Sequence, residues 1–221
     1  MVSEMAKCQK RLGGKYLSAF PTTWFDRLEK GERVWAPFYT IHKIMAGMFD
    51  MYRLAHNKQA LQVLEGMAEW ADAWTAPKSE EQMQQILTIE FGGIAETLYY
   101  LAAATNNDRW AKVGDRFQKK SFINPLAARR DELRGLHVNT HVPQVIAAAR
   151  RYEISGDDRF RDVAEHFLRS NDGALLCDVR NRKRRSVASA ATPAGSRTEA
   201  GRQHRRMLLR IQHAEACQTA L

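Results

Sequence analysis

The chain has 221 residues, 34 Lys+Arg against 25 Asp+Glu, and a formal net charge of +9. That length is enough for one domain with a real core, no apolar run is long enough to span a membrane, and the charged start from Met1 to Lys10 does not read as a secretory signal. Cys8, Cys177 and Cys217 are far apart and odd in number, so they make neither a disulfide framework nor a Cys-x-x-Cys pair, and a reducing, cytoplasmic setting is expected.

The charge is unevenly spread. Residues 169–221 hold 11 Lys+Arg against 4 Asp+Glu, while residues 1–168 are nearly balanced at 23 against 21. Every Phe, Trp and Tyr lies at or before Phe167. The chain therefore divides into a body, residues 1–168, and a basic tail, residues 169–221.

The body opens on a segment that resembles the end of a helix, Ala6-Lys7-Cys8-Gln9. An aromatic loop follows, with Tyr16, Phe20, Trp24, Phe25, Trp35, Phe38 and Tyr39. Aromatic faces suit sugar C–H faces, although aromatics in such a loop more often pack on neighbouring helices. Next comes a repeat. Ala60, Trp110 and Phe160 are spaced 50 residues apart, as are Asn57, Asn107 and Asp157, and Thr40, Glu90 and Thr140. Three segments of helical period, 41–54, 94–104 and 143–153, each end at a turn: His56-Asn57, Asn106-Asn107 and Gly156-Asp157. A second helix follows each turn, over Lys58–Trp74, Arg109–Phe117 and Arg159–Phe167. Three helical hairpins of this length fit an all-α toroid, with inner helices lining a cleft.

The same repeat position opens each inner helix. It carries Thr40 with His42 nearby, Glu90 beside Gly92-Gly93, and Thr140 with His141. The threonines read as helix caps, and Met45, Met48 and Met51 as core. Asp131-Glu132 is a carboxylate pair on adjacent residues that point apart, which is not a catalytic dyad. The stretch Arg134 to Gln144 packs His137, Asn139, Thr140, His141 and Pro143 into a short turn before a helix. There His141 sits at the positive end of the helix, which disfavours its protonation. A neutral imidazole facing a cleft can hydrogen-bond a sugar hydroxyl. The plainer reading is that these histidines only satisfy the loop.

Val34-Trp-Ala-Pro-Phe-Tyr-Thr-Ile-His-Lys-Ile-Met-Ala-Gly47, Glu90-Phe-Gly-Gly93, Asp131 through Gln144 and Arg151-Tyr-Glu-Ile-Ser-Gly-Asp157 resemble the β-L-arabinofuranosidases of glycoside hydrolase family 127. The resemblance covers about residues 1–167. It implies an (α/α)6 barrel, present here in part. It also implies a carbohydrate partner such as an arabinofuranoside, and a cysteine nucleophile on a zinc ion held by cysteines and a glutamate. By motif, His42 and His141 resemble the family's sugar-holding histidines. Glu90, His137, Trp35 and Tyr39 complete the expected sugar site. Gly92-Gly93 stands where some relatives have Gly-His, and the family domain normally begins with further helices. No catalytic residue, metal ligand or cofactor is assigned to this chain, so the expectation is a catalytic-domain fragment without zinc and without activity.

The tail reads as a shifted reading frame. Codons for Arg180–Ser186 can spell G-T-G-N-G-E one nucleotide later, and codons for Arg205–Cys217 can spell A-E-C-C-C-V-Y-N-M-L-K-L. Both strings are what this family shows next, in the right order. Nearby Arg180, Arg182, Lys183, Arg184 and Arg185 would suit a nucleic-acid arm, but the tail has no aromatics for base stacking and no recognised module. The tail is expected to be irregular, with a helix possible only over Met207–Gln218. Two other functions compete with the glycosidase reading. One is a sugar epimerase or isomerase on a related toroid, using His acid–base pairs. The other is a non-enzymatic helical-repeat scaffold.

Overall fold

A computed structural model describes residues 1–170. All regular elements among the described residues are helices: α1 (Val2–Arg11), α2 (Thr23–Glu29), α3 (Pro37–Ala55), α4 (Lys58–Thr75), α5 (Glu80–Ile89), α6 (Ile94–Thr105), α7 (Asp108–Asp115), α8 (Lys120–Ala127), α9 (Val138–Ser155) and α10 (Asp158–Ser170). The hairpins are α3–α4, α6–α7 and α9–α10. In the inner row α6 packs against both α3 and α9; in the outer row α4 packs on α1 and α7. None of these helices is long and apolar enough to cross a membrane.

The 50-residue repeat is written into the turns. His56, Asn106 and Gly156 end the inner helices in the left-handed conformation, at φ 53°, 51° and 69°. The residue after each caps the next helix. Asn57 Oδ1 accepts from the Ala60 N–H, Asn107 Oδ1 from the Arg109 N–H, and Asp157 Oδ1 from the Arg159 N–H. Each cap satisfies a backbone donor that the helix cannot. Ala60, Trp110 and Phe160 follow three residues later and are buried in all three copies.

The core has two parts. The larger unites α3, α4 and α6 around Met45, Met48, Leu64, Met67, Leu98 and Tyr99. The smaller joins α8, α9 and α10 through Phe122, Val145, Ile146, Val163 and Phe167. Helix α9 serves both, since Ala147 belongs to the first and Val142, Val145 and Ala149 to the second. Beneath the hairpins, Tyr99 donates to Asp115 Oδ1 at 2.8 Å and accepts from Gln118 Nε2 at 2.6 Å, while Arg151 grips both Asp115 oxygens at 2.9 and 3.0 Å.

Several boundaries differ from expectation. Helix α3 begins at Pro37 rather than near 41, because proline fits the first helical position, where no N–H bond is lost. Thr40 therefore lies inside the helix and caps nothing. Helix α9 begins at Val138, so Thr140 is also internal, and its hydroxyl donates to the His137 carbonyl at 3.0 Å. Pro143 sits within α9 instead of its first turn. The aromatic loop contains α2, and its rings mostly pack inward: Phe25 lies against Tyr16, Phe38, Trp70 and Trp74. The expected helix at Met207–Gln218 and the rest of the tail lie outside the described residues.

Candidate functional site

The joint between α5 and α6 gathers the site. Glu90 ends α5 in extended backbone, and Gly92 turns the chain at φ 53°. A Cβ on Gly92 would lie 2.9 Å from Phe38 C and Tyr39 N, so only glycine lets α3 come this close. A Cβ on Gly93 would lie 2.5 Å from Pro143 Cβ and 2.6 Å from His42 Cε1. The two glycines therefore sit between the beginnings of α3 and α9. Hydrogen bonds fix the junction. The Tyr39 N–H donates to Glu90 Oε1 at 3.1 Å. Gln144 Nε2 donates to the Gly92 carbonyl at 2.7 Å, and Gln144 Oε1 accepts from the Lys119 N–H at 3.2 Å.

Of the sequence-predicted residues, Glu90, Tyr39, His42 and the start of α9 that carries His141 meet at this joint, in unequal roles. His42 is 1% exposed. Its Nε2 donates to Glu96 Oε2 at 3.1 Å; its Nδ1 has no partner among the described residues and lies beside Gly93. His141 is also buried, between Phe91 and Phe122, with both ring centroids 4.6 Å away. Its Nδ1 donates to the His137 carbonyl at 2.8 Å, and its Nε2 accepts from Lys119 Nζ at 3.5 Å. Burial is the main reason that its pKa falls to about 4, with the positive charge of Lys119 adding to it; the His137 carbonyl opposes the shift. His141 is neutral at pH 7, as expected, but burial leads where the helix end was expected to.

Glu90 is partly buried, and burial pushes its carboxyl above the usual carboxylate range, against the N–H groups of Tyr39 and Phe38. Tyr39 is partly buried with Lys43 over its ring at 5.2 Å. Trp35 is 83% exposed, and the His137 side chain is exposed while its carbonyl holds His141. Asp131 and Glu132 are both exposed.

Four residues of this region have no site role in the sequence reading: Phe91, Glu96, Lys119 and Gln144. Lys119 Nζ stands 3.9 Å from the Phe91 ring centroid, and burial lowers its pKa. Glu96 holds His42 and also lines a cleft of about 270 Å³ with Phe49, Asp50, Arg53, Thr97 and Tyr100. Glu96 stands 54 residues from His42, and Lys119 22 residues from His141, so only the folded chain reveals these pairs.

Among the described residues, no three His, Cys, Asp or Glu side chains converge as metal ligands. Cys8 is exposed on α1. The described residues therefore do not fit the zinc that the resemblance implies. The sequence holds one Glu-x-Cys spacing, Glu215-Ala216-Cys217, outside the described residues.

Helical hairpins with a polar junction at the starts of their inner helices define an all-α protein of the (α/α)6 toroid class. The family model described as beta-L-arabinofuranosidase, GH127 catalytic domain, matches residues 1–171, and the chain belongs to that family of glycoside hydrolases. No curated protein matches the chain.

Proposed function

We propose that this chain is a sugar-binding segment of a β-L-arabinofuranosidase-type catalytic domain, without hydrolytic activity of its own. The observation that supports it is the convergence on Gly92-Gly93 of Glu90, Tyr39, His42 and the His141 segment, drawn from three hairpins. Around this junction lie a neutral imidazole, an ammonium group, a carboxyl group of raised pKa and the face of Phe91. Such a mixture of polar groups and aromatic surface suits a polyol with one apolar face. Trp35, exposed just ahead of α3, supplies a stacking surface at the edge.

Hydrolysis needs more. A thiolate nucleophile requires a cationic or metal-bound setting, and zinc requires three or four ligands held together. Residues 1–170 contain one cysteine, Cys8, on a helix that packs against α4 rather than at the junction. The composition change at residue 168 supports a shifted frame through the segment that would carry the remaining ligands. His141 has both ring nitrogens engaged, by the His137 carbonyl and Lys119 Nζ, so in this reading it holds Lys119 in place rather than bonding the sugar itself.

The purified chain is expected to hold no stoichiometric zinc and to release no chromophore from a chromogenic β-L-arabinofuranoside, while ¹H–¹⁵N spectra show arabinose shifting signals of residues 90–93. Turnover abolished by Cys8→Ser would overturn the inactivity and make Cys8 the nucleophile. Sequencing the gene tests the frame: stop codons throughout the shifted frame would refute it.

A further inference from the structure

Lys119 is an unusual cation for this molecule. Its neighbour Lys120 pairs with Glu80 at 2.5 Å, and Lys78 pairs with Glu29 at 2.8 Å. Lys119 Nζ instead meets the Phe91 face at 3.9 Å and His141 Nε2 at 3.5 Å, and has no carboxylate partner among the described residues. Burial drives its pKa down.

The arrangement around it is directional. The Nδ1–H of His141 is committed to the His137 carbonyl, so Nε2 presents its lone pair to the ammonium. Phe91 and Phe122 both pack on the imidazole, each with its ring centroid 4.6 Å away. The Lys119 backbone is pinned through its N–H to Gln144. An ammonium has three donors, and His141 takes one. A neutral histidine and an aromatic face hold a cation in place without cancelling its charge.

We infer that Lys119, positioned by His141, makes this site select a sugar that carries an anionic group, with a ring carboxylate as the leading candidate. The inference rests on the sugar-binding reading above. A partly buried ammonium that lacks a counter-ion gains most from an anion, and a charge-assisted hydrogen bond is roughly twice as strong as a neutral one. The carboxyl groups of the same junction are engaged elsewhere: Glu90 Oε1 accepts from the Tyr39 N–H at 3.1 Å, and Glu96 Oε2 from His42 Nε2 at 3.1 Å.

The test titrates the full chain with sodium glucuronate, glucose 6-phosphate, inorganic phosphate and neutral arabinose, read by calorimetry and by ¹H–¹⁵N shifts at low and high salt. Glucuronate is expected to bind about tenfold tighter than arabinose at low salt, a preference that shrinks as salt screens it. Lys119→Met should abolish the preference, weakening glucuronate far more than arabinose; Lys119→Arg should retain most of it. His141→Gln should weaken glucuronate more than arabinose. Circular dichroism of each variant separates lost binding from lost folding, and Lys119→Arg carries the test if Lys119→Met unfolds. Equal binding of glucuronate and arabinose overturns the acidic preference and leaves the sugar site standing. Inorganic phosphate binding as tightly as glucuronate overturns the acidic-sugar assignment in favour of a bare anion site. Tighter glucose 6-phosphate than glucuronate moves the anion from carboxylate to phosphate ester and overturns the carboxylate. No binding of any of the four overturns this inference and the sugar-binding reading together.

Discussion

Gly93→Ala probes the junction most sharply. The backbone at Gly93 has φ −125°, which any residue adopts, so the substitution tests space alone. The new methyl would stand 2.5 Å from Pro143 Cβ, 2.6 Å from His42 Cε1 and 2.7 Å from His42 Nδ1. Ordinary carbon contacts lie at about 3.5–4.0 Å, so α6 must part from α3 or α9 by about 1 Å. Neither neighbour yields easily: Pro143 is a rigid ring inside α9, and His42 is tied to Glu96. Overpacking of this kind costs about 1–3 kcal/mol. In a domain of this size each kcal/mol moves Tm by about 2–4 °C, which gives a fall of about 2–12 °C. Gly47→Ala is the control. It lies within α3 with nothing inside 4 Å of the added carbon, and alanine there should gain up to about 1 kcal/mol in helix propensity. Thermal and urea unfolding of both variants decides. If Gly93→Ala unfolds at or above the parent temperature, the three helix starts do not meet at this glycine and the site as described is wrong.

Other outcomes follow from the same structure. His141 is neutral in the fold with a pKa near 4, below its ordinary 6.5, so its stabilising contribution is complete above pH 6.5 and is lost as pH falls from there towards 4; the urea midpoint should drop over that window, and less so in His141→Gln. Glu90 has the opposite sign: its raised pKa favours the fold at low pH and costs stability once pH rises through that pKa, so Glu90→Gln, which keeps an oxygen for the Tyr39 N–H, should match or exceed the parent's stability at pH 7. Tyr99→Phe removes a buried hydroxyl that bridges Asp115 and Gln118 and should cost about 1–2 kcal/mol by urea unfolding. Ser79→Ala breaks the capping box of α5, in which Ser79 and Gln82 bond each other's backbone, and should cost about 1 kcal/mol.

The hairpins were legible because their signals are local. A turn ending in Asn or Asp is read directly from His56-Asn57, Asn106-Asn107 and Gly156-Asp157, and all three turns form as read. The starts of the inner helices were harder. Pro37 marked the start of α3, but the apolar period beginning at Ile41 was the stronger pattern. Thr140 resembled a cap, yet the chain was already helical two residues earlier. The site was legible only in outline. His42, Glu90 and His141 do gather at one junction, but what each nitrogen and oxygen does depends on Glu96, Lys119 and Gln144. Those partners arrive from other helices, and no sequence period points to them.

The three turns also set a rule about length. Each is a two-residue joint, and the third residue beyond its capping side chain is a buried one, Ala60, Trp110 or Phe160. Adding one residue at a joint would separate the left-handed residue from its cap, and carried into the helix it would turn that anchor about 100° away from the core. Replacing the residues of a joint is far gentler, since histidine, asparagine and glycine already serve at the same place. Such a protein can drift freely in the spelling of its corners but not in their count. A library that shuffles these corner pairs among the hairpins should remain folded, while one that lengthens any of them by a single codon should not.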